Sequence, residues 1–236
     1  MRCAGLLRDQ LAYVPPAVPE STGPHIAPGQ LREILELPAD DHPVIFLGGT
    51  PHVHNRQDMG LWAAAIVQHI YPQAHALIRL GHLDHAPVQE QVRRLVEFVQ
   101  AFAHPDMVEF VEPAIAVDTM LAAADIMFFT PDQDMDFSIM LQAMAAGVPV
   151  VATSVPGAVD IVDDSHSAML VPVQEPWRLA TAAHRLIDNP QQAGEQVMAA
   201  RRRVETEFSS ARLAERFASI YRQLYVAPQL PLTMLA

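Results

Sequence analysis

Between Asp134 and Thr153 the sequence reads DMDFSIMLQAMAAGVPVVAT. An acidic start leads into an apolar helix, Gly147-Val148-Pro149 cuts it, and a β-branched strand follows at once. The polar loop TPDQD, Thr130 to Asp134, should open this helix at the carboxyl end of a strand, where open α/β sheets place their ligands. Unpaired backbone N–H groups and the positive end of the helix dipole suit an anion there. The segment therefore points to a ligand such as a nucleotide diphosphate.

A second set of candidates follows the first two predicted strands: His52, His54, His82 and His85. Histidines paired across adjacent loops can hold a transition metal, but no cysteine accompanies them. A histidine of the first loop would more simply meet a phosphate. All 15 basic residues are arginine, and with 27 acidic residues they leave a formal charge of -12. That balance argues against nucleic acid or an anionic membrane as the main partner. The single cysteine, Cys3, excludes an internal disulfide framework and fits a reducing compartment. MRCAGLLRDQ is too short an apolar run for a signal peptide. The longest uncharged segment, Phe137 to Val159, is interrupted by Gly147-Val148-Pro149 and Pro156-Gly157 and reads as buried helix, turn and strand. A soluble, cytoplasmic protein without a transmembrane segment is expected.

The elements that must position these residues alternate along the chain. Residues 13 to 30 are proline-rich and should be irregular. A short helix is predicted over Leu31 to Leu37. Strands are predicted at Val44 to Leu47, Ala76 to Leu80, Val108 to Val111, Ile126 to Phe129, Val148 to Ala152 and Met169 to Val171. Helical periodicity fills the intervals, with apolar positions Met59, Leu61, Trp62, Ala65, Ile66 and Ile70 in the first interval, then Val88 to Ala103, Val117 to Ala124, the 134–146 segment and a short helix around Val159 to Val162. Three helices close the chain: Trp177 to Asp188, Pro190 to Glu207 and Ala211 to Tyr225. Met135, Met140, Met144 and Met169 suit core filling. Short apolar strands separated by helices predict an α/β fold, a doubly wound parallel sheet of about six strands with helices on both faces.

The order of acidic residue, seven residues, polar residue, then Ala143-Met144-Ala145 and Gly147-Val148-Pro149-Val150-Val151-Ala152-Thr153 resembles the nucleotide-sugar signature of retaining GT-B glycosyltransferases of the family 4 type (group 1). The likeness continues collinearly from about residue 44 to 225, through VIFLGG, LIRLG, MVEFVEP, MLAAADIMFFTPD, VPGAVDIVDDSHSAMLVPV and RRRVETEFSSARLAERFASIYRQLY. It implies a Rossmann-like C-terminal, donor-binding half over 44–225, preceded by an extension, 1–43, whose LAYVPPAVPE resembles the interdomain linker, and followed by a tail, 226–236.

The resemblance also implies roles. Asp134 and Gln142 stand where the family has two glutamates, the first near the donor sugar and the second accepting from the ribose; Asp132 or Asp136 would take the first position under a shifted alignment. Gly48 and Gly49 would let the backbone approach the diphosphate, Arg56 would supply a cation to the leaving phosphate, and Phe137 and Ser138 would complete the donor site. Asp160 matches an acid that caps a short helix near the sugar. The implied catalytic residues are Asp134 and Arg56, with no cofactor and no metal. The competing readings are structural: Asp134 as a helix N-cap, Gln142 as a tolerated polar residue, Arg56 as a solvated loop arginine. Two functions follow, with an epimerase acting on nucleotide sugars, which shares the fold, a distant third. The chain is the donor-binding half of a hexosyltransferase using a nucleotide diphosphate sugar, with its acceptor domain on a separate polypeptide; alternatively, it is a catalytically inactive GT-B-like binding or scaffold module.

Overall fold

The computed structural model describes residues 14–18, 28–35, 37, 42–81, 85–102, 105–163 and 165–226. Six short strands, β1 (Val44–Leu47), β2 (His75–Arg79), β3 (Val108–Val111), β4 (Ile126–Phe129), β5 (Val150–Thr153) and β6 (Met169–Val171), pair parallel in the order β3-β2-β1-β4-β5-β6. β1, β4 and β5 are buried at every position, as continuous apolar runs in a parallel sheet covered on both faces should be.

Strand side chains alternate between faces, and each strand therefore feeds two cores. Phe46, Met127, Phe129, Val150 and Ala152 face one side; Ile45, Leu47, Ile126, Phe128 and Val151 face the other. The first core is closed by Met120 of α4 (Val117–Ala123), Met140 and Met144 of α5 (Ser138–Ala146), and Ala200 and Val204 of α8 (Pro190–Glu207). The second is closed by Leu61 and Val67 of α2 (Gln57–Ile70), Leu95 of α3 (Ala86–Phe102), and Leu179 and Leu186 of α7 (Pro176–Asp188). The remaining helices are α1 (Pro28–Ile34), against α4, α6 (Pro156–Ile161) and α9 (Ser210–Val226). No helix among the described residues is long and apolar enough to cross a membrane.

The turn from α5 to β5 explains one difference from the sequence reading. Gly147 has φ +84°, and the N–H groups of both Gly147 and Val148 return to the Ala143 carbonyl at 3.0 Å. Val148 is thus part of the helix end, Pro149 has no N–H to give, and β5 starts at Val150 rather than Val148. A Cβ on Gly147 would lie 2.2 Å from Nη2 of Arg201. That guanidinium donates to the Ala145 and Ala146 carbonyls at 3.3 and 2.7 Å, filling the acceptors the helix end leaves open.

Other boundaries shift modestly. The first helix spans Pro28–Ile34 instead of Leu31 to Leu37, and α6 begins at Pro156, whose fixed φ suits a first helical position. Of the proposed linker, residues 14–18 are described as non-helical, and the Val18 N–H donates to the Phe208 carbonyl at 3.0 Å. Cys3, His82 and residues 227–236 of the tail lie outside the described residues.

Candidate functional site

β1 and β4 are neighbours, while the chain leaves them toward opposite edges of the sheet. Their following loops diverge, which opens a crevice at the carboxyl ends, the place where such sheets bind ligands. A cleft of roughly 340 Å³ lies there. Gly49, Thr50, His52 and Asn55 of the loop after β1 form one wall; Met135, Asp136, Ser138, Ile139 and Gln142 form the other. Arg79, the last residue of β2, and Val117 of α4 complete it.

The loop after β1 is held rigidly. Gly49 has φ +87°, and a Cβ there would sit 2.8 Å from Nδ2 of Asn55. Asn55 Nδ2 donates to the Thr50 carbonyl at 2.8 Å, and Gln57 Nε2 to the Gly49 carbonyl at 2.9 Å. The Thr130 hydroxyl ties the loop to the end of β4 through the carbonyls of Asn55 and Arg56, at 2.9 and 3.0 Å. Gly48 donates its N–H to the Phe128 carbonyl at 2.8 Å, and a Cβ on it would meet Met127 Cε at 2.7 Å. The N–H groups of Gly49 and Thr50 have no partner among the described residues, so this wall offers backbone donors to an anion.

Arg56 is committed elsewhere. It adopts a left-handed backbone, φ 45°, and its Nε and Nη2 donate to the Asp58 carboxylate at 2.9 Å each. Nη1 is 3.9 Å from Asp132 Oδ2. The hydrogen-bonded Asp58 carboxylate raises its pKa above the ordinary value against the opposing pull of partial burial, with the charge of Asp132 adding to the rise. Asp132 also meets His54 Nδ1 at 3.0 Å. This polar cluster stands beside the cleft and is not among its lining residues.

The cation in the cleft is Arg79, which sequence reasoning did not nominate. Its Nε donates to the Ile115 carbonyl at 3.1 Å and its Nη2 to the Pro113 carbonyl. Burial pulls its pKa below the ordinary value, and no neighbouring acid offsets the pull. The available signal was an arginine at the carboxyl end of the strand HALIR, after the apolar residues Ala76, Leu77 and Ile78.

On the α5 side the predicted residues separate. Gln142 and Ser138 line the cleft. Gln142 Oε1 is enclosed yet has no hydrogen-bond partner among the described residues. Asp134 is exposed, does not line the cleft, and accepts the Gly157 N–H at 2.7 Å. It therefore meets the start of α6, not α5. Asp160, expected to cap a short helix, sits near the end of α6, where Arg203 Nη2 donates to its backbone carbonyl at 3.3 Å. Asp136 Oδ1 takes the Ser138 N–H at 2.9 Å and the Ser138 hydroxyl, placing a carboxylate at the amino end of α5. Phe137 is 7% exposed and packs edge-on against Phe129, centroids 5.7 Å apart. Of the four methionines assigned to the core, Met140, Met144 and Met169 are buried, whereas Met135 lines the cleft. Of the loop histidines, His52 borders the cleft; no group of three or more histidine, cysteine, aspartate or glutamate residues able to hold a metal occurs among the described residues.

Comparison with known proteins gives the fold and site their context. Residues 41–189, more than half of the chain, match the family described as glycosyl transferases group 1. The alpha-maltose-1-phosphate synthase of Mycolicibacterium smegmatis is 30% identical over 207 residues, covering 84% of this chain and 52% of that protein. Among solved structures, Anabaena HepE in complex with UDP-glucose superposes with a TM-score of 0.74 at 19% identity, over 84% of this chain and 52% of that one. Sucrose-phosphate synthase from Thermosynechococcus elongatus gives a TM-score of 0.71 at 26% identity, over 89% and 52%. The chain thus spans about half the length of these relatives. Its doubly wound sheet is the Rossmann-like C-terminal half of a GT-B fold, and the chain belongs to the group 1 glycosyl transferases.

Proposed function

We propose that this chain binds the donor, a nucleotide diphosphate sugar, in the cleft between the β1 loop and α5, and acts in retaining hexosyl transfer together with an acceptor-binding domain. The observation that carries the reading is Gln142 Oε1, an enclosed acceptor that lacks a partner and lines a cleft whose opposite wall is a glycine turn with unpaired N–H groups. Leaving such an acceptor unsatisfied costs about 1–3 kcal/mol, and a ribose hydroxyl would satisfy it once the amide turned toward the cleft. The likeness to HepE, solved in complex with UDP-glucose, supports this class of ligand. We read the donor as bound without a metal, so chelation should leave binding intact.

Calorimetric titration of the purified chain with UDP and GDP tests the proposal. Saturable binding of one of them, without hydrolysis or transfer from its sugar conjugate, is the expected result. Absence of heat with both at millimolar concentration defeats it.

The commitments of two side chains favour a second reading, a binding module without catalysis. Asp134 is spent on Gly157 and Arg56 on Asp58, and neither lines the cleft. The two readings part when the acceptor half of a full-length relative is added: turnover restored by that half supports the enzyme, and binding that stays silent supports the module.

A further inference from the structure

Three half-buried arginines differ in what meets their charge, while a fourth, Arg203, is held by the Asp160 and Ile161 carbonyls at the end of α6 and does not line the cleft. Arg32 is paired with Asp125 at 3.0 Å. Arg56 is paired with Asp58 at 2.9 Å. Arg79 alone of the three has no acidic partner among the described residues; its Nε and Nη2 go to two neutral carbonyls of the segment after β3. Nη1, with two N–H groups, is left without a partner among the described residues. An unneutralised charge drawn partly out of water is costly unless something of opposite sign meets it.

The surroundings offer a place for a counter-charge. Arg79 ends β2, immediately beside β1 in the sheet, and it borders the same cleft as Gly49 and Thr50. Backbone N–H groups and a guanidinium therefore converge on one region. The amino end of α5, the other expected anion site, already carries the Asp136 carboxylate on Ser138, and a diphosphate is repelled from it. The two carbonyl contacts fix the plane of the guanidinium, so that its remaining edge is presented with little loss of side-chain freedom on binding.

Resting on the donor-cleft reading, we infer that Arg79, and not Arg56, anchors the diphosphate of the bound ligand. The segment after β3, whose Pro113 and Ile115 carbonyls hold Arg79, is then part of the binding apparatus: it aims the cation. Gln142 takes a hydroxyl at the opposite wall, so the ligand must carry an anionic group and a hydroxyl-bearing group at two separate places.

The test is calorimetry on the whole chain with UDP, GDP, uridine, guanosine and inorganic pyrophosphate, using Arg79→Met, Arg79→Lys and Arg56→Met. Arg79→Met should weaken the diphosphates and pyrophosphate at least tenfold while changing the nucleosides less than twofold; Arg79→Lys should recover part of that loss, and Arg56→Met should change it less than threefold. An equal loss for nucleoside and nucleotide in Arg79→Met overturns the inference, since it would reveal a prop for the 113–115 segment only. Unchanged UDP and GDP binding in Arg79→Met overturns it too, as does a larger loss in Arg56→Met. Should the wild type bind pyrophosphate in an Arg79-dependent way but neither nucleotide, the anchor stands and the donor reading falls; binding of none of these probes overturns both.

Discussion

Asp134 Oδ1 accepts the backbone N–H of Gly157 at 2.7 Å, joining residues 23 apart in sequence. A Cβ on Gly157 would fall 2.4 Å from Phe137 Cε2 and 3.0 Å from the same Oδ1, so the start of α6 presses directly on the loop that enters α5. Asp134 is a fastener between the loop that enters α5 and the start of α6.

Asp134→Ala should therefore cost about 1 kcal/mol, the usual loss of a capping acceptor, while Asp134→Asn, whose amide oxygen still accepts, should stay within a few tenths of wild type. Urea unfolding of both variants measures this. Equal destabilisation by the two would show that the negative charge, not the acceptor, matters.

Gln142→Glu places an unpaired carboxylate where Oε1 now sits enclosed. The ligand-free variant should melt several degrees lower, and UDP or GDP should raise its melting temperature more than it raises that of wild type, because a carboxylate accepts a hydroxyl more strongly than an amide does. Thermal scans with and without nucleotide check both halves.

Asp136 sets a carboxylate in the cleft wall, on the first N–H of α5. Asp136→Asn keeps the acceptor and removes the repulsion, and UDP affinity should rise about fivefold, on the order of 1 kcal/mol. The gain should shrink at high salt, which screens it.

Gly49→Ala forces a side chain to φ +87° and against Asn55 Nδ2. The backbone term alone is roughly 1–2 kcal/mol. Nucleotide binding should fall with stability in this variant, and Asn55→Ala in the same background should relieve the collision without restoring the turn.

Tyr71 supplies the pH dependence. Burial, with a hydrogen bond to Asp188, raises its pKa to about 12 from an ordinary value of 10.0. The folded state therefore holds the phenol proton more tightly than the unfolded chain. Its contribution is complete below pH 10 and is lost as pH climbs from 10 toward 12. Tyr71→Phe should flatten that part of the stability profile, read by chemical unfolding across this alkaline window.

The strands were legible because short, mostly apolar runs bounded by polar loops leave few alternatives: the spans of β1, β3, β4 and β6 agree with the sequence reading to the residue. Helix faces were legible from periodicity, and the start of β5 was misplaced because Val148 looks like strand but spends its N–H on Ala143. Of the residues expected at the donor, Gly49, Ser138 and Gln142 line the cleft, whereas Gly48, Asp134 and Phe137 do not. The commitments of charge were not legible. Whether an arginine faces a ligand depends on what lies beside it in space: Asp58 is only two residues from Arg56, but the bare carbonyls of Pro113 and Ile115 beside Arg79 are tertiary neighbours that spacing does not encode. Phe137 was placed at the donor, but its ring fills the gap under Gly157 and beside Phe129.

Arg201 and Arg203 also decide which reagents can loosen this domain. Their guanidinium groups clasp the carbonyl ends of α5 and α6, and an ammonium, lacking the planar fork, does not reproduce that grip. Because the sequence has no lysine, acylating agents find no side-chain amine to neutralise. Dicarbonyl reagents, which attack guanidines, would loosen both clasps, whereas amine-directed reagents find no side chain to modify.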